Sequence, residues 1–185
     1  MGSATDLLDA ARSQLLLVDH QTRLMPHIAD GGAVAANALR LARLARLFGV
    51  PVQGTEQTPD KLGPLPPELR ALCDGVLAKT RFDGGAEGVL AEVRRQAGQG
   101  RDQVVVAGCE AHVCLLQTSL GLLGAGFDLW LVADACGSRA PANRELALAR
   151  LRRAGARAVA TEMVAFEWLR DARDARFRQA LAIVK

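Results

Sequence analysis

A thiol, a carboxylate and an amine each stand where a short apolar run ends. Cys114 follows Val104-Val105-Val106 at the start of a new helical pattern, Asp19 closes Leu15-Leu16-Leu17-Val18, and Lys79 closes Gly75-Val76-Leu77-Ala78. These types suit acyl-transfer chemistry, in which a thiol attacks, a carboxylate moves protons and a cation tunes both. Cys114 falls in the first turn of its helix, where unpaired N–H groups and the helix dipole favour an anion. A neighbouring cation such as Lys79 lowers a thiol's pKa further, so Cys114 is expected to be partly thiolate near neutral pH.

Each residue also has a plainer reading. Cys114 fits a small buried helix position, and Asp19 fits a carboxylate capping its own loop. Lys79 fits a stem laid on apolar neighbours with its ammonium in water. Against that, the lysines are only Lys61, Lys79 and Lys185 in a chain that otherwise uses arginine. A lysine here suggests a compact, tunable charge.

Other reactive types are less suggestive. Cys109 reads as core near a strand end, and Cys73 and Cys136 are placed still less tellingly. His112 precedes Cys114 by two residues, a spacing that does not face one helix side chain to the other. His20 and His27 have no visible partner, and Arg150, Arg152 and Arg153 read as a solvated helix end.

The elements that must position these residues alternate. Strands are expected at 15–18, 50–53, 75–79, 104–106, 129–133 and 156–160, and helices at 34–48, 66–72, 87–97, 112–123 and 144–153, with two helical pieces after the last strand. The stretch Thr58–Pro67 reads as a surface loop. Strands alternating with helices imply a mostly parallel sheet covered on both faces, a three-layer α/β fold. In such sheets ligands bind beyond the carboxyl ends of the strands, where Asp19, Thr55-Glu56-Gln57, Lys79, the segment 108–114 and Asp134 all fall.

Length and composition bound the answer. At 185 residues the chain is expected to form one domain over 1–185. A net charge of +3 argues against nucleic acid as a partner. No apolar run reaches the roughly 20 residues of a membrane helix. The opening segment has no basic n-region, so a cytoplasmic location and free thiols are expected. The four cysteines and three histidines form no metal-ligand pattern, and no phosphate-binding glycine loop is present; no metal or organic cofactor is expected.

Three motifs in order, Leu16-Leu17-Val18-Asp19-His20-Gln21, Ala78-Lys79-Thr80-Arg81-Phe82 and Val106-Ala107-Gly108-Cys109-Glu110-Ala111-His112-Val113-Cys114, closely resemble the isochorismatase-like cysteine hydrolases. The similarity takes in Gly49-Val50-Pro51-Val52, Thr55-Glu56-Gln57 and the segment Val132–Arg139. The resemblance implies a six-stranded, mostly parallel sheet in order 3-2-1-4-5-6, with Asp19, Lys79 and Cys114 as catalytic triad. It also implies a cis peptide between Cys109 and Glu110, and an oxyanion hole built from the backbone N–H groups of Glu110 and Cys114. Gln21, Gln57 and Phe82 are expected to line the pocket.

The chain is similar to the branch of isochorismatase domain-containing hydrolases and departs from two others. The nicotinamidase branch binds a metal through histidines after the second strand, and 52–65 contains none; true isochorismatases commonly lack the cysteine. Asp83 after Phe82 places a carboxylate near the expected pocket mouth. The reading is a hydrolase of a small amide or related C–N substrate through a thioester. The alternatives are vinyl-ether hydrolysis with Asp19 as acid, or a catalytically silent binding protein. A small-molecule substrate and a homo-oligomer, dimer or larger, are expected from the resemblance.

Overall fold

The computed structural model describes residues 7–185; the start of the opening segment, residues 1–6, lies outside the described residues. Six strands form one sheet: β1 (Ser13–Val18), β2 (Val52–Gln57), β3 (Gly75–Lys79), β4 (Gln103–Gly108), β5 (Asp128–Val132) and β6 (Arg157–Val159). All pairings are parallel and the order is β3-β2-β1-β4-β5-β6. The helices are α1 (Gly31–Phe48), α2 (Pro59–Leu62), α3 (Pro67–Arg70), α4 (Val89–Ala97), α5 (Leu116–Gly124), α6 (Pro141–Arg153), α7 (Thr161–Leu169) and α8 (Phe177–Val184). On one side α1 packs with α7 and α8, and α5 packs with α6 elsewhere, giving the three-layer arrangement.

The central strands explain their own burial. Every residue of β1 and β4 is buried, as expected for parallel strands covered on both faces. Helix α1 turns Val34, Ala38, Leu41, Ala45 and Phe48 inward, the residues that recur at helical spacing, and ends at Gly49 in the left-handed conformation.

Where the sheet reverses, β1 and β4 lie side by side with Val18 opposite Gly108. A Cβ on Gly108 would sit 2.6 Å from both the Cβ and the carbonyl oxygen of Val18. The residue type therefore permits the close pairing that brings the ends of these strands together.

Three expectations are corrected. The second strand begins and ends later than 50–53 and contains Thr55, Glu56 and Gln57. Its pairing runs to Thr55 on the β1 side and to Gln57, opposite Lys79, on the β3 side. Polar residues suggested a loop because their partners come from elsewhere in the fold. The helix after β4 opens with a wide π turn, Ala111–Leu115, before α5. The expected loop at 58–67 holds the short helix α2.

Candidate active site

The three strand-end residues converge at one buried rim. Asp19 leaves β1 with φ +55°, a left-handed conformation that an aspartate tolerates better than most residues. Its Oδ2 lies 2.7 Å from Lys79 Nζ, and its Oδ1 accepts a 2.6 Å hydrogen bond from Thr55 Oγ1. Both members of the ion pair are almost wholly withdrawn from solvent. Lys79 does not snorkel to water. Its ammonium also donates to Gln57 Oε1 at 2.6 Å and, more weakly, to the Arg81 carbonyl at 3.4 Å.

Cys114 joins through Gln57. Its Sγ lies 4.0 Å from Gln57 Oε1, and the charges of Asp19 and Lys79 both act on it. Its resting state differs from the expected thiolate. Burial pushes the thiol up to about 12, with the Asp19 carboxylate adding to the rise, and Lys79 only partly opposes them. At neutral pH the group is a thiol that needs a base.

Gln21 and Gln57 have distinct positions. The Gln21 side chain is fully buried and holds the backbone of Gln57: Oε1 accepts from Gln57 N–H at 2.8 Å, and Nε2 donates to Gln57 O at 3.0 Å and Gly63 O at 2.5 Å. Gln57 Nε2 donates to the Thr80 carbonyl at 2.5 Å, which aims its Oε1 at Lys79 and Cys114. Gln21 thus acts on the cluster through Gln57. Phe82 is about half exposed at the rim, and its carbonyl accepts from Thr118. Asp83 accepts from Gly85 N–H at 2.8 Å and caps the turn Gly84–Glu87.

The peptide between Cys109 and Glu110 is cis. The Glu110 carbonyl accepts from the N–H groups of Val113 and Leu115, closing the turn that carries Cys114. The Glu110 carboxylate accepts from the backbone N–H and Nε of Arg139 at 3.0 and 3.1 Å, tying the ends of β4 and β5 together. Sequence reasoning missed this pair and the Thr55 contact to Asp19. Both are long-range, and only the strand register places Thr55 beside the end of β1.

The remaining reactive side chains stand apart. His112 Nδ1 pairs with Ser138 Oγ at 3.0 Å, not with Cys114. His20 is fully buried with Nε2 3.2 Å from the Ala135 carbonyl, and burial lowers its pKa below 6.5. Burial also pushes the Cys109 thiol up and raises Cys136 to about 12. Among the described residues no three His, Cys, Asp or Glu side chains are grouped to hold a metal ion, and no helix is long and apolar enough to cross a membrane.

Comparison with known proteins places this geometry in a family. The profile described as "Isochorismatase domain" matches residues 13–163, a span that includes Asp19, Lys79 and Cys114. The chain belongs to the isochorismatase domain family. Isochorismatase domain-containing protein 2 of Pongo abelii is 38% identical over 176 residues, 94% of this chain and 83% of that protein. The MAR1 ribonuclease structure from Caenorhabditis elegans superposes with a TM-score of 0.89 at 25% identity, over 97% of this chain and 92% of that one. The YcaC gene product of Escherichia coli, described as an octameric hydrolase of unknown specificity, gives 0.86 at 29% identity, over 98% and 90%. The isochorismatase-like hydrolases thus share both the sheet order and the layers described above.

Proposed function

We propose that this family member hydrolyses a small amide or related C–N substrate through a thioester on Cys114. The observation that carries the reading is the continuous buried cluster of Cys114, Gln57, Lys79 and Asp19 at the strand ends. Because the thiol rests protonated, attack is coupled to proton transfer: Sγ bonds to the carbonyl carbon as its proton passes to the Asp19 carboxylate. The C–N bond then breaks, and the same proton goes to the departing nitrogen. Water attacks the thioester, Asp19 takes a proton from it, and that proton returns to sulfur as the acid product leaves.

Lys79 holds the Asp19 carboxylate in place and offsets negative charge as the thiolate develops. The backbone N–H groups of Glu110 and Cys114 are the proposed donors to the tetrahedral oxyanion, at the first turn of a helix where such donors are available. Gln57 and Phe82 face the substrate side, Gln21 positions Gln57, and no step uses a metal or organic cofactor. A homo-oligomer accompanies the proposal, supported by the octamer described for the YcaC protein. A cytoplasmic, small-molecule enzyme without a nucleic-acid or membrane partner completes it.

The test is a screen of small amides and carbamoyl compounds with intact-protein mass detection. An acyl adduct that disappears in Cys114→Ala, together with turnover, supports the reading. Turnover that survives Cys114→Ala on a vinyl ether points instead to protonation by Asp19 with an incidental thiol.

A further inference from the structure

Three of the five large apolar side chains exposed among the described residues line one groove of about 520 Å³. They are Leu7, Met163 and Phe166, at 49%, 48% and 39% exposure. A single exposed apolar residue is ordinary, but a contiguous group marks a surface that something covers. The groove lies along α7 and contains none of the residues of the candidate active site.

Helix α7 is apolar on two sides. Its inner side puts Val164, Ala165, Trp168 and Leu169 into the core. Its outer side carries Met163 and Phe166 at positions i and i+3, and Arg170 at i+7 just past the last turn, all lining the groove. A helix apolar on both sides calls for a partner on each. The segment before β1 is fastened to the same helix: the Glu167 carboxylate accepts from Leu8 N–H at 2.8 Å, and Arg170 Nη2 donates to the Leu8 carbonyl at 2.6 Å. Those bonds hold Leu7 in place as one wall.

The two ends of the groove carry opposite charges. Glu162 stands in the first turn of α7, and Arg170 caps the last, eight residues or about 12 Å further along. Among the described residues the Glu162 carboxylate has no ion-pair or hydrogen-bond partner, and Arg170 pairs with no acid. An acid and a base at opposite ends of one apolar stripe are complementary to the same stripe turned end for end, which is the relation a twofold axis imposes. Resting on the homo-oligomer part of the function proposed above, we propose that this face receives a second copy of the chain, its α7 packed antiparallel against the first. Met163 and Phe166 of both copies meet at the centre, and Glu162 of each lies beside Arg170 of the other. A foreign apolar segment could cover the same side chains, but only a second copy necessarily brings a base to one end and an acid to the other.

Sedimentation equilibrium of the full chain over a concentration series, with folding checked by circular dichroism, tests this. Glu162→Arg and Arg170→Glu each set like charges against each other across the axis and should weaken self-association roughly tenfold. An equimolar mixture of the two should regain it, because every end contact in the mixed pair joins opposite charges. Met163→Glu should weaken association by roughly a hundredfold, since it places an unpaired charge in the apolar centre. It decides the matter if Arg170→Glu, which also loses the Leu8 bond, does not fold. Leu146→Lys is the control: Leu146 is 68% exposed on α6 and lies outside the groove, so association should be unchanged. In an assembly larger than a dimer, the weakening variants should split it into smaller closed units.

Weakened single variants, a restored mixture and an unaffected Leu146→Lys support the surface and its antiparallel arrangement. A wild-type oligomer that Met163→Glu leaves intact overturns the inference alone: the chain then associates through another face, and the groove belongs to its own first residues or to a different protein. A mixture no tighter than its components overturns it as well. A wild type that stays monomeric at every concentration overturns both the inference and the homo-oligomer reading, while the thioester mechanism is decided separately at Cys114.

Discussion

Lys79 Nζ and Asp19 Oδ2 form a 2.7 Å ion pair from which solvent is almost entirely excluded. Removing one member strands the other's charge in a low-dielectric rim, so Lys79→Met should cost about 3–5 kcal/mol of stability and lower the melting temperature by roughly 10 °C. Asp19→Asn is the apt partner variant, since asparagine tolerates the left-handed backbone found there. The double variant should lose less than the sum of the two single losses in urea unfolding. Additive losses would show that the pair contributes nothing as a pair.

The thiols set an alkaline limit and a reactivity order. Burial raises Cys73 to about 11 and Cys114 to about 12, against an ordinary value of 9.0. The unfolded chain therefore ionises first. Stability carried by the neutral thiols is fully present below pH 9 and declines as pH rises toward 12. Iodoacetamide labelling of Cys114 without substrate should be slow at pH 7 and accelerate by about tenfold per unit above it. Labelling that is already fast at pH 7 and flat above it would mean a resting thiolate, contrary to the geometry.

How far the sequence disclosed this site can be judged residue by residue. Asp19 and Lys79 were visible because a charge ending an apolar run has few solutions other than a rim or a partner. Their 2.7 Å contact joins residues sixty positions apart and follows from sheet order, which came from the family resemblance rather than from periodicity. The second strand was misplaced because Thr55, Glu56 and Gln57 look like loop residues until their partners Asp19, Arg70 and Lys79 are in view. The expected thiolate at Cys114 failed on magnitude: helix and lysine effects were legible, but the opposing burial was not.

His20 should limit stability on the acid side. It is buried beside Asp19 with Nδ1 lacking a hydrogen-bond partner among the described residues, and its pKa lies below 6.5 because burial outweighs the Ala135 carbonyl and the Asp19 charge. The unfolded chain thus binds a proton that the folded one resists. Stability is retained above pH 6.5 and falls as pH drops through the lower folded value, at up to about 1.4 kcal/mol per pH unit for this single proton. Urea midpoints for wild type and His20→Asn across pH 4.5–7.5 should differ in slope by that one proton. Identical slopes would show that His20 is not the group responsible.

Gln57 offers a sharper test of how the cluster tunes its thiol, because one atom separates two opposite electrostatic settings. Its Oε1 accepts from Lys79 Nζ and lies 4.0 Å from Cys114 Sγ, while Gln21 fixes its backbone and the Thr80 carbonyl fixes its Nε2. Gln57→Glu preserves size and the Lys79 contact but puts a carboxylate where a neutral oxygen stood. That charge opposes a thiolate nearby and competes with Asp19 for the ammonium, so the pH profile of Cys114 alkylation should move upward and turnover should fall. The Glu side chain also exchanges the Nε2 donor for an oxygen facing the Thr80 carbonyl, so some loss of stability, about 1–3 kcal/mol, is expected as well. The profile shift distinguishes the electrostatic role from that structural loss, since Gln57→Leu removes the Thr80 bond without adding charge. If the two variants shift the alkylation profile equally, Gln57 acts only as a strut.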